Sequence, residues 1–385
     1  MRIFPVILAG GASSRLWPAS SREKPKWDLR LFSALSQAKK PQSLLEAAWE
    51  RARAMAPATD CFVVAGIAQA ALVRTSLTEL PADNVLVEPE PRDTSGAVAF
   101  AAGAILRKIK MERAGTASKK ESVMFVLPGD HVISPLSNFV RDAKVAAQAA
   151  VELDSLVTFG IRPRTPATAY GYIRRGRETK LTRKSPGSPR IYTVKEFREK
   201  PDRAIAEHYI ASGEYFWNAG IFAWKLSTLL TEFERQLPEH AAMIHALRDS
   251  GAAIARKSNK QSGFQKTIET FFPLLEKLSI DYGIMEHARS VTMVEADFEW
   301  DDIGSWSSVA GHLDQSSGNA VGPATNLISL DARANLVFAP GKRVALLGVE
   351  GLAVIESGDE ILVCRLDRDQ DVKKINEQAQ KQNRT

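Results

Sequence analysis

The sequence predicts an α/β protein: a doubly wound, mainly parallel sheet, then a small all-β module and a helical tail. Three observations carry this. Strand-like and helix-like runs alternate through the first half; the texture changes past Thr165; and short strand-like runs without a long amphipathic helix fill Asn319 to Arg368. Alternation of the first kind marks parallel sheets with helical crossovers, and the last texture marks an all-β unit.

The first strand is Ile3 to Leu8, a continuous apolar run rich in branched residues, as a strand covered on both faces requires. Further strands are expected at Cys61 to Ala65, Val85 to Val87, Val123 to Leu127 and Leu156 to Phe159, with helices at Ser43 to Met55, Ala68 to Leu80, Thr94 to Glu112 and Leu136 to Leu153. Beyond the change of texture come extended "IYTVKEFREKP" and "WNAGIFAW", then helices from Lys225 to about Leu278. In the third texture, "VALLGV", "GLAVIES" and "EILVCRL" alternate with turn residues, and the polar tail from Asp369 reads as a terminal helix that frays. A division into 1–315 and 316–385 follows.

Composition narrows the function classes. With 385 residues and 44% hydrophobic content the chain can fill real cores, and a net charge of +6 suits small polyanions. The basic runs Arg174-Arg175-Gly176-Arg177 and Lys180 to Arg190 lack interleaved aromatics and read as solvated loops, so no nucleic-acid partner is expected. No segment offers about 18 unbroken apolar residues, so no membrane role is expected. Cys61 and Cys364 lie in apolar runs and read as buried, reduced thiols, which favours the cytoplasm.

The first strand ends in Gly10-Gly11, followed by Arg15 and Lys26. Two residues without Cβ let backbone N–H groups approach a phosphate chain, but neither the Walker nor the dinucleotide spacing is present. On residues alone this is an anion-binding turn, or a plain glycine turn with solvated basic residues. Ligands in open parallel sheets gather at the carboxyl ends of strands. The strand Val123 to Leu127 runs into Pro128-Gly129-Asp130-His131, so Asp130 belongs to the same rim. A carboxylate beside a phosphate cradle calls for a hard cation between them, which makes Asp130 a metal-ligand candidate and a turn aspartate the alternative. Asp302 in "FEWDDIGSW" is the second candidate, with a helix cap as its alternative and Ser305 competing for that role. Trp300 and Trp306 read as core or helix-packing residues. Glu199 and Lys200 in "FREKPD" should point to opposite faces unless the chain kinks at Pro201. Gly171 in "YGYI" and Asn218 in "WNAGIF" suit either a sugar or ordinary turns. None of the six histidines sits in a nucleophilic triad or dyad.

Together these stretches resemble the sugar-1-phosphate nucleotidyltransferases, most closely the mannose-1-phosphate guanylyltransferases. The resemblance runs through Leu8-Ala9-Gly10-Gly11, Arg15-Leu16-Trp17-Pro18, Pro25-Lys26, "EPEPRDTS", "LPGDHVI", "GIRPRTPATAYGYI", "FREKP", "WNAGIF", "SIDYGIMEHA", "WDDIGSW" and "DQDVKKI", in register over nearly the whole chain. It implies a Rossmann-like doubly wound mixed sheet with a small β-helix-like C-terminal module. The reaction implied is GTP plus mannose 1-phosphate giving GDP-mannose and pyrophosphate. Arg15 and Lys26 would act on the phosphates, and Asp130 and Asp302 would hold Mg²⁺. Leu8, Ala9, Gly10, Gly11, Glu88, Arg92, Asp93, Thr94 and Gly129 would surround the nucleotide; Gly171, Glu199, Lys200 and Asn218 would meet the sugar phosphate. A homodimer is among the expectations, and a fused isomerase is not. The chain departs from the family at Ser13, at Trp27-Asp28-Leu29, at the "PGDH" glycine and in an insertion over about Ser33 to Lys40. Two other readings stay open: a nucleotidyltransferase for another base or hexose, and a non-catalytic subunit that binds the sugar nucleotide.

Overall fold

A computed structural model describes residues 1–11, 14–21, 23–31, 42–113, 121–182, 187–250 and 263–382. Ser13 and the insertion at Ser33 to Lys40 lie outside the described residues, as do 183–186 of the second basic run.

In chain order, β1 (Arg2–Ala9), α1 (Leu44–Arg53), β2 (Phe62–Gly66), α2 (Ile67–Ser76), β3 (Val85–Glu88), α3 (Asp93–Arg113) and β4 (Ser122–Pro128) alternate as the hydrophobic pattern demands. Next come β5 (Val132–Ser134), α4 (Leu136–Glu152), β6 (Leu156–Ile161), β7 (Tyr172–Glu178), β8 (Ile191–Arg198), α5 (Arg203–Ser212) and β9 (Tyr215–Lys225). Helices α6 (Leu226–Gln236), α7 (Pro238–Asp249), α8 (Gly263–Phe271) and α9 (Ile280–Gly283) lead to β10 (Val291–Glu295) and β11 (Glu299–Asp301). The remainder is α10 (Trp306–Ala310), β12 (Asp314–Ser316), β13 (Asn319–Val321), β14 (Asn326–Leu330), β15 (Leu336–Phe338), β16 (Arg343–Leu347), β17 (Leu352–Ser357), β18 (Glu360–Arg365) and α11 (Val372–Gln382).

Helix α1 starts where Ser43 and Glu46 cap each other reciprocally: Glu46 N–H donates to Ser43 Oγ at 3.2 Å and Ser43 N–H to Glu46 Oε2 at 2.7 Å. Helix α2 stops at Ser76, earlier than the expected Leu80, because Leu77 leaves helical geometry and Leu80 closes a turn on its carbonyl.

The chain forms two compact units that interleave along the sequence: 1–8, 50–128 and 134–299 make the first; 9–49, 129–133 and 300–385 make the second. The first unit holds a nine-stranded mixed sheet in the order β3-β2-β1-β4-β9-β6-β10-β8-β7. β1 pairs in parallel with β4, Leu8 opposite Pro128, so the segments after both strands leave the same end of the sheet side by side. β9 runs antiparallel to β4, β6 and β7 and carries its middle residues into the interior. Phe4, Val6, Met124, Val126, Phe100, Trp224 and Phe233 are buried together in the main core.

Arg174 to Arg177 do not form a loop. They lie in β7, paired with β8 and β9, because Gly176 lets the strand lie against Thr193 and the Arg174 guanidinium is neutralised by Glu214 at 2.8 Å. Cys61 is fully buried, which pushes its thiol up to about 12, whereas Cys364 is only half-buried; both are free.

In the second unit, β13, β15 and β17 pair in parallel, Ala320 opposite Leu336 and Leu336 opposite Ala353. β14 pairs in parallel with β16, Asn326 opposite Arg343, and Arg333 bridges Glu350 in the same sense. Each step back to the same face takes 16 or 17 residues (320, 336, 353; 326, 343; 333, 350), and a strand rather than a helix fills each connection (β14 between β13 and β15, β16 between β15 and β17), so the chain coils as a short β-helix. Buried Asn319 and Asn335 stack at one corner: the Asn335 amide donates to Asn319 Oδ1 at 2.9 Å, and Asn335 Oδ1 accepts the Leu352 N–H at 2.9 Å. Trp306, Leu336, Phe338, Ile355 and Leu16 fill this unit's core, with Trp306 Nε1 donating to the Trp17 carbonyl at 3.1 Å.

Candidate active site

The phosphate-binding candidates gather in the second unit. Beyond β1 the chain turns at Gly11, whose φ of +94° is left-handed backbone that favours glycine. A short 3₁₀ turn at Ser14–Leu16 buries Leu16 in the core and so fixes the neighbouring Arg15, whose Nη1 approaches the Gly304 carbonyl at 3.5 Å. A second 3₁₀ turn, Lys26–Asp28, follows Pro25. Trp27, which departs from the family pattern, is buried, and its Nε1 donates to the Ala9 carbonyl at 3.1 Å; Leu29 joins the core that holds Leu16. These two anchors fix the turn that begins at Lys26.

Lys26 is only 6% exposed. A buried ammonium needs anionic or carbonyl partners. Its Nζ pairs with Asp130 Oδ2 at 2.7 Å and also donates to the Asp302 carbonyl. Burial would push the Asp130 carboxyl up, but the Lys26 ammonium, aided by His131, outweighs it and holds Asp130 below the ordinary carboxylate range. His131 is oriented from behind. Trp300 Nε1 donates to its Nδ1 at 3.1 Å, so a neutral ring carries its proton on Nε2, 3.7 Å from Asp130 Oδ1. Trp300 is therefore a polar partner as well as a packing residue.

The two adjacent aspartates have separate tasks. Asp301 accepts the Ile303 N–H at 2.8 Å and the Ser308 hydroxyl at 2.6 Å, and meets His312 at 3.0 Å, so it braces the turn into α10. Asp302 lies against Gly304, where an added Cβ would stand 3.1 Å from its Oδ1. Ser305 stands at the N-cap of α10 without a side-chain cap bond, and the α10 amide of Ser307 donates to Asp369 Oδ2 at 2.7 Å. Arg15, Lys26, Asp130 and the 302–304 segment are thus brought together. Among the described residues no group of three or more His, Cys, Asp or Glu side chains forms a closed metal cage. The Asp130 carboxylate at the Lys26 ammonium, and the Asp302 carboxylate on the segment whose carbonyl meets the same ammonium, are oxygen donors without thiolates, a set that fits a hard cation whose other ligands come from phosphate oxygens.

The sugar candidates gather in the first unit. Gly171 precedes β7, and a Cβ there would stand 2.4 Å from Glu199 Oε2 and 3.5 Å from the Asn218 Cβ. Glu199 and Lys200 end on the same side, Nζ to Oε1 at 3.0 Å, because the chain kinks at Lys200 itself, with φ of +46°, one residue before the expected Pro201. Asn218 in β9 is buried; its N–H donates to the Gly171 carbonyl at 2.8 Å and its Nδ2 to Asp281 Oδ1 at 2.8 Å. Asp281 was missed in the sequence. Burial, with Glu199 nearby, pushes its carboxyl up to about 7.

Also in the first unit, Glu88 ends β3 with its Oε1 buried and without a hydrogen-bond partner, and burial beside Asp93 pushes its carboxyl up to about 7. The Arg92 guanidinium is taken up by Glu90 and by the carbonyls of Pro273 and Leu275. Asp93 holds a left-handed φ of +60° and accepts the Thr94 N–H, while Thr94 Oγ1 accepts the Ile280 N–H at 2.8 Å. Arg92 and Thr94 therefore anchor 273–280, and with it Asp281. Ser95 and His240 meet at 3.1 Å but are fully buried, and desolvation pushes His240 down to about 4, so they form a packing pair.

The family model for nucleotidyl transferases matches residues 4–315. The chain belongs to the nucleotidyl transferase family. A second model, for the mannose-phosphate isomerase/GMP-like β-helix domain, matches residues 325–378 of this nucleotidyltransferase. A xanthan biosynthesis protein of Xanthomonas campestris is 35% identical over 97% of the chain and 72% of its own length. A mannose-1-phosphate guanylyltransferase of Klebsiella pneumoniae is 34% identical over 97% of the chain and 73% of its own length. A crystal structure from Thermus thermophilus, described as a mannose-1-phosphate geranyltransferase, superposes with a TM-score of 0.79 at 31% identity, covering 99% of this chain and 100% of that one. No described helix of the nucleotidyltransferase is long and apolar enough to cross a membrane.

The signal that could have found Asp281 is a cap pattern. Ser279 accepts the Tyr282 N–H at 3.3 Å and starts α9 with an acid in its first turn.

Proposed function

We propose that this nucleotidyltransferase transfers GMP from GTP to α-D-mannose 1-phosphate. A phosphate oxygen of the sugar phosphate attacks the α-phosphorus in line; the bond to the bridging oxygen breaks, and pyrophosphate leaves. The observation that carries this reading is the hold of Lys26 on both Asp130 and the Asp302 carbonyl, with Arg15 on the same segment. It supports a site built for a polyanion and its counter-cation.

The attacking oxygen is an anion near neutral pH, so the chain needs no general base. Its task is to align two polyanions and neutralise charge building on the α-phosphorus and the leaving pyrophosphate. Lys26 and Arg15 supply fixed positive charge, and the turn at Gly10-Gly11 lets backbone approach phosphate. Asp130 and Asp302 would hold Mg²⁺, which when bound neutralises phosphate charge. The unpartnered Glu88 oxygen supports a base with N–H donors, as guanine has in its N1–H and amino group. Gly171, Glu199, Lys200 and Asn218 are assigned to mannose 1-phosphate. The two free cysteines support a reducing, cytoplasmic setting.

The test is a pyrophosphate-release assay with Mg²⁺, crossing GTP, ATP, UTP and dTTP with mannose 1-phosphate and glucose 1-phosphate. Turnover should be greatest with GTP and mannose 1-phosphate. A better rate with another pair would move the substrate assignment; no turnover with any pair would favour a non-catalytic sugar-nucleotide-binding role.

A further inference from the structure

We propose that Asp281 is a positioning residue of the sugar site, setting the orientation of the Asn218 side-chain amide so that it meets the sugar as a hydrogen-bond donor. The inference rests on the assignment of Asn218 to the sugar phosphate.

An asparagine amide has an acceptor end and a donor end of nearly the same shape, and its neighbours decide which end faces which way. Here both ends are committed. Gly220 N–H, which can only donate, lies 3.3 Å from Asn218 Oδ1. Thr158 Oγ1 lies 2.9 Å from the same oxygen and 3.2 Å from the Ile221 carbonyl, and its single proton serves one of the two. Asp281 Oδ1 takes one Nδ2 proton at 2.8 Å. The oxygen end is thereby turned into the sheet, and what the amide has left to offer is its second Nδ2 proton.

Asp281 can hold this geometry because it is itself tethered. Its helix begins at Ile280, whose N–H is gripped by Thr94 Oγ1, and Ser279 caps the same turn. On the other side Asn218 is fixed by its backbone bond to Gly171, against which Glu199 packs. Removing Asp281 leaves the Nδ2 end without its acceptor and frees the side chain to rotate. Because the hydrogen bond that fixes the amide is lost, affinity for the sugar phosphate should fall about tenfold.

The experiment measures KM for each substrate and kcat in Asp281→Ala, Asp281→Asn, Asn218→Ala and the Asp281→Ala/Asn218→Ala double variant, with thermal melting as a check of folding. Asp281→Ala should raise KM for mannose 1-phosphate while KM for GTP stays within about twofold. Asp281→Asn, whose Oδ1 can accept the same proton, should recover most of the loss. In the Asn218→Ala background Asp281→Ala should add nothing further, since it acts through Asn218. An unchanged KM in Asp281→Ala, an equal rise for GTP, or full additivity in the double variant would each overturn the proposal. Should Asp281→Ala fail to fold, Asp281→Asn decides: a loss as large as that of Asn218→Ala would refute it. The series is run with whichever hexose 1-phosphate the wild-type protein turns over best, so an error in the sugar's identity shows in the wild type and an error about Asp281 only in the variants.

Discussion

Replacing Gly171 by alanine tests the sugar site with one carbon atom. The new Cβ would stand 2.4 Å from Glu199 Oε2, and side-chain carbons do not come closer than 3.0 Å, so the carboxylate must retreat by about 0.6 Å. The Glu199 carboxylate is paired with Lys200, so the retreat drags a second proposed ligand group with it. A displacement near 1 Å costs about a hundredfold in rate, so a shift of this size should lower kcat/KM for mannose 1-phosphate about tenfold or more. The backbone at Gly171 is not left-handed and the obstruction is the end of a flexible side chain, so folding should lose less than about 1 kcal/mol. The assay is steady-state kinetics at saturating GTP beside a thermal melt. Shortening the obstruction in Gly171→Ala/Glu199→Asp should return part of the lost rate. Wild-type kcat/KM in Gly171→Ala, or a large fall in melting temperature with no kinetic specificity for the sugar, would refute the reasoning.

Further outcomes are expected elsewhere. Asp130→Ala and Asp302→Ala should each abolish pyrophosphate release while circular dichroism stays wild-type-like; near-normal turnover in either would contradict the metal assignment. The Glu88 carboxyl is raised to about 7 by burial, so its folded form favours the proton more than its unfolded form does. Its contribution to stability is complete below the unfolded carboxylate range and is lost as pH rises through about 7. Glu88→Gln, which cannot ionise, should therefore gain on the wild type between pH 5 and 8 in urea titrations of the unliganded protein, and a constant difference would argue against it. Trp306 is fully buried, and Trp306→Ala should cost about 3–5 kcal/mol in chemical denaturation; a loss below about 1 kcal/mol would mean the β-helix core does not depend on it.

Most of the sheet and the first four helices were legible because buried parallel strands and amphipathic helices write their periods into the sequence. The same holds for Gly171, Glu199 and Asn218 as separate marks. What could not be read is who meets whom. Asp302 and Ser305 compete for a cap on local grounds, yet the residue that fills it, Asp369, comes from 62 positions away. The basic run at Arg174 looks like a loop until Glu214 on another segment neutralises it. Trp27 looks like a disturbance beside Lys26, and only the Ala9 carbonyl turns it into a support. Asp281 lies in "SIDYGIMEHA" and a cap pattern marks it as a first-turn acid, but only its contact with Asn218, 63 positions away, shows it as an acid that orients another side chain. The interleaved units escape linear reading for the same reason: their segments 9–49, 129–133 and 300–385 are joined by contacts, not by adjacency.

The stacked asparagines of the coil have a consequence for how this region can vary. Asn335 answers the turn of the coil before it and the turn of the coil after it, through Asn319 Oδ1 and the Leu352 N–H. No layer is self-sufficient, so the layers should melt together rather than peel away one by one. For the same reason, lengthening the region is tolerable only in whole laps that bring a fresh amide to the corner, and a gain or loss of a few residues would strand the rungs above and below it.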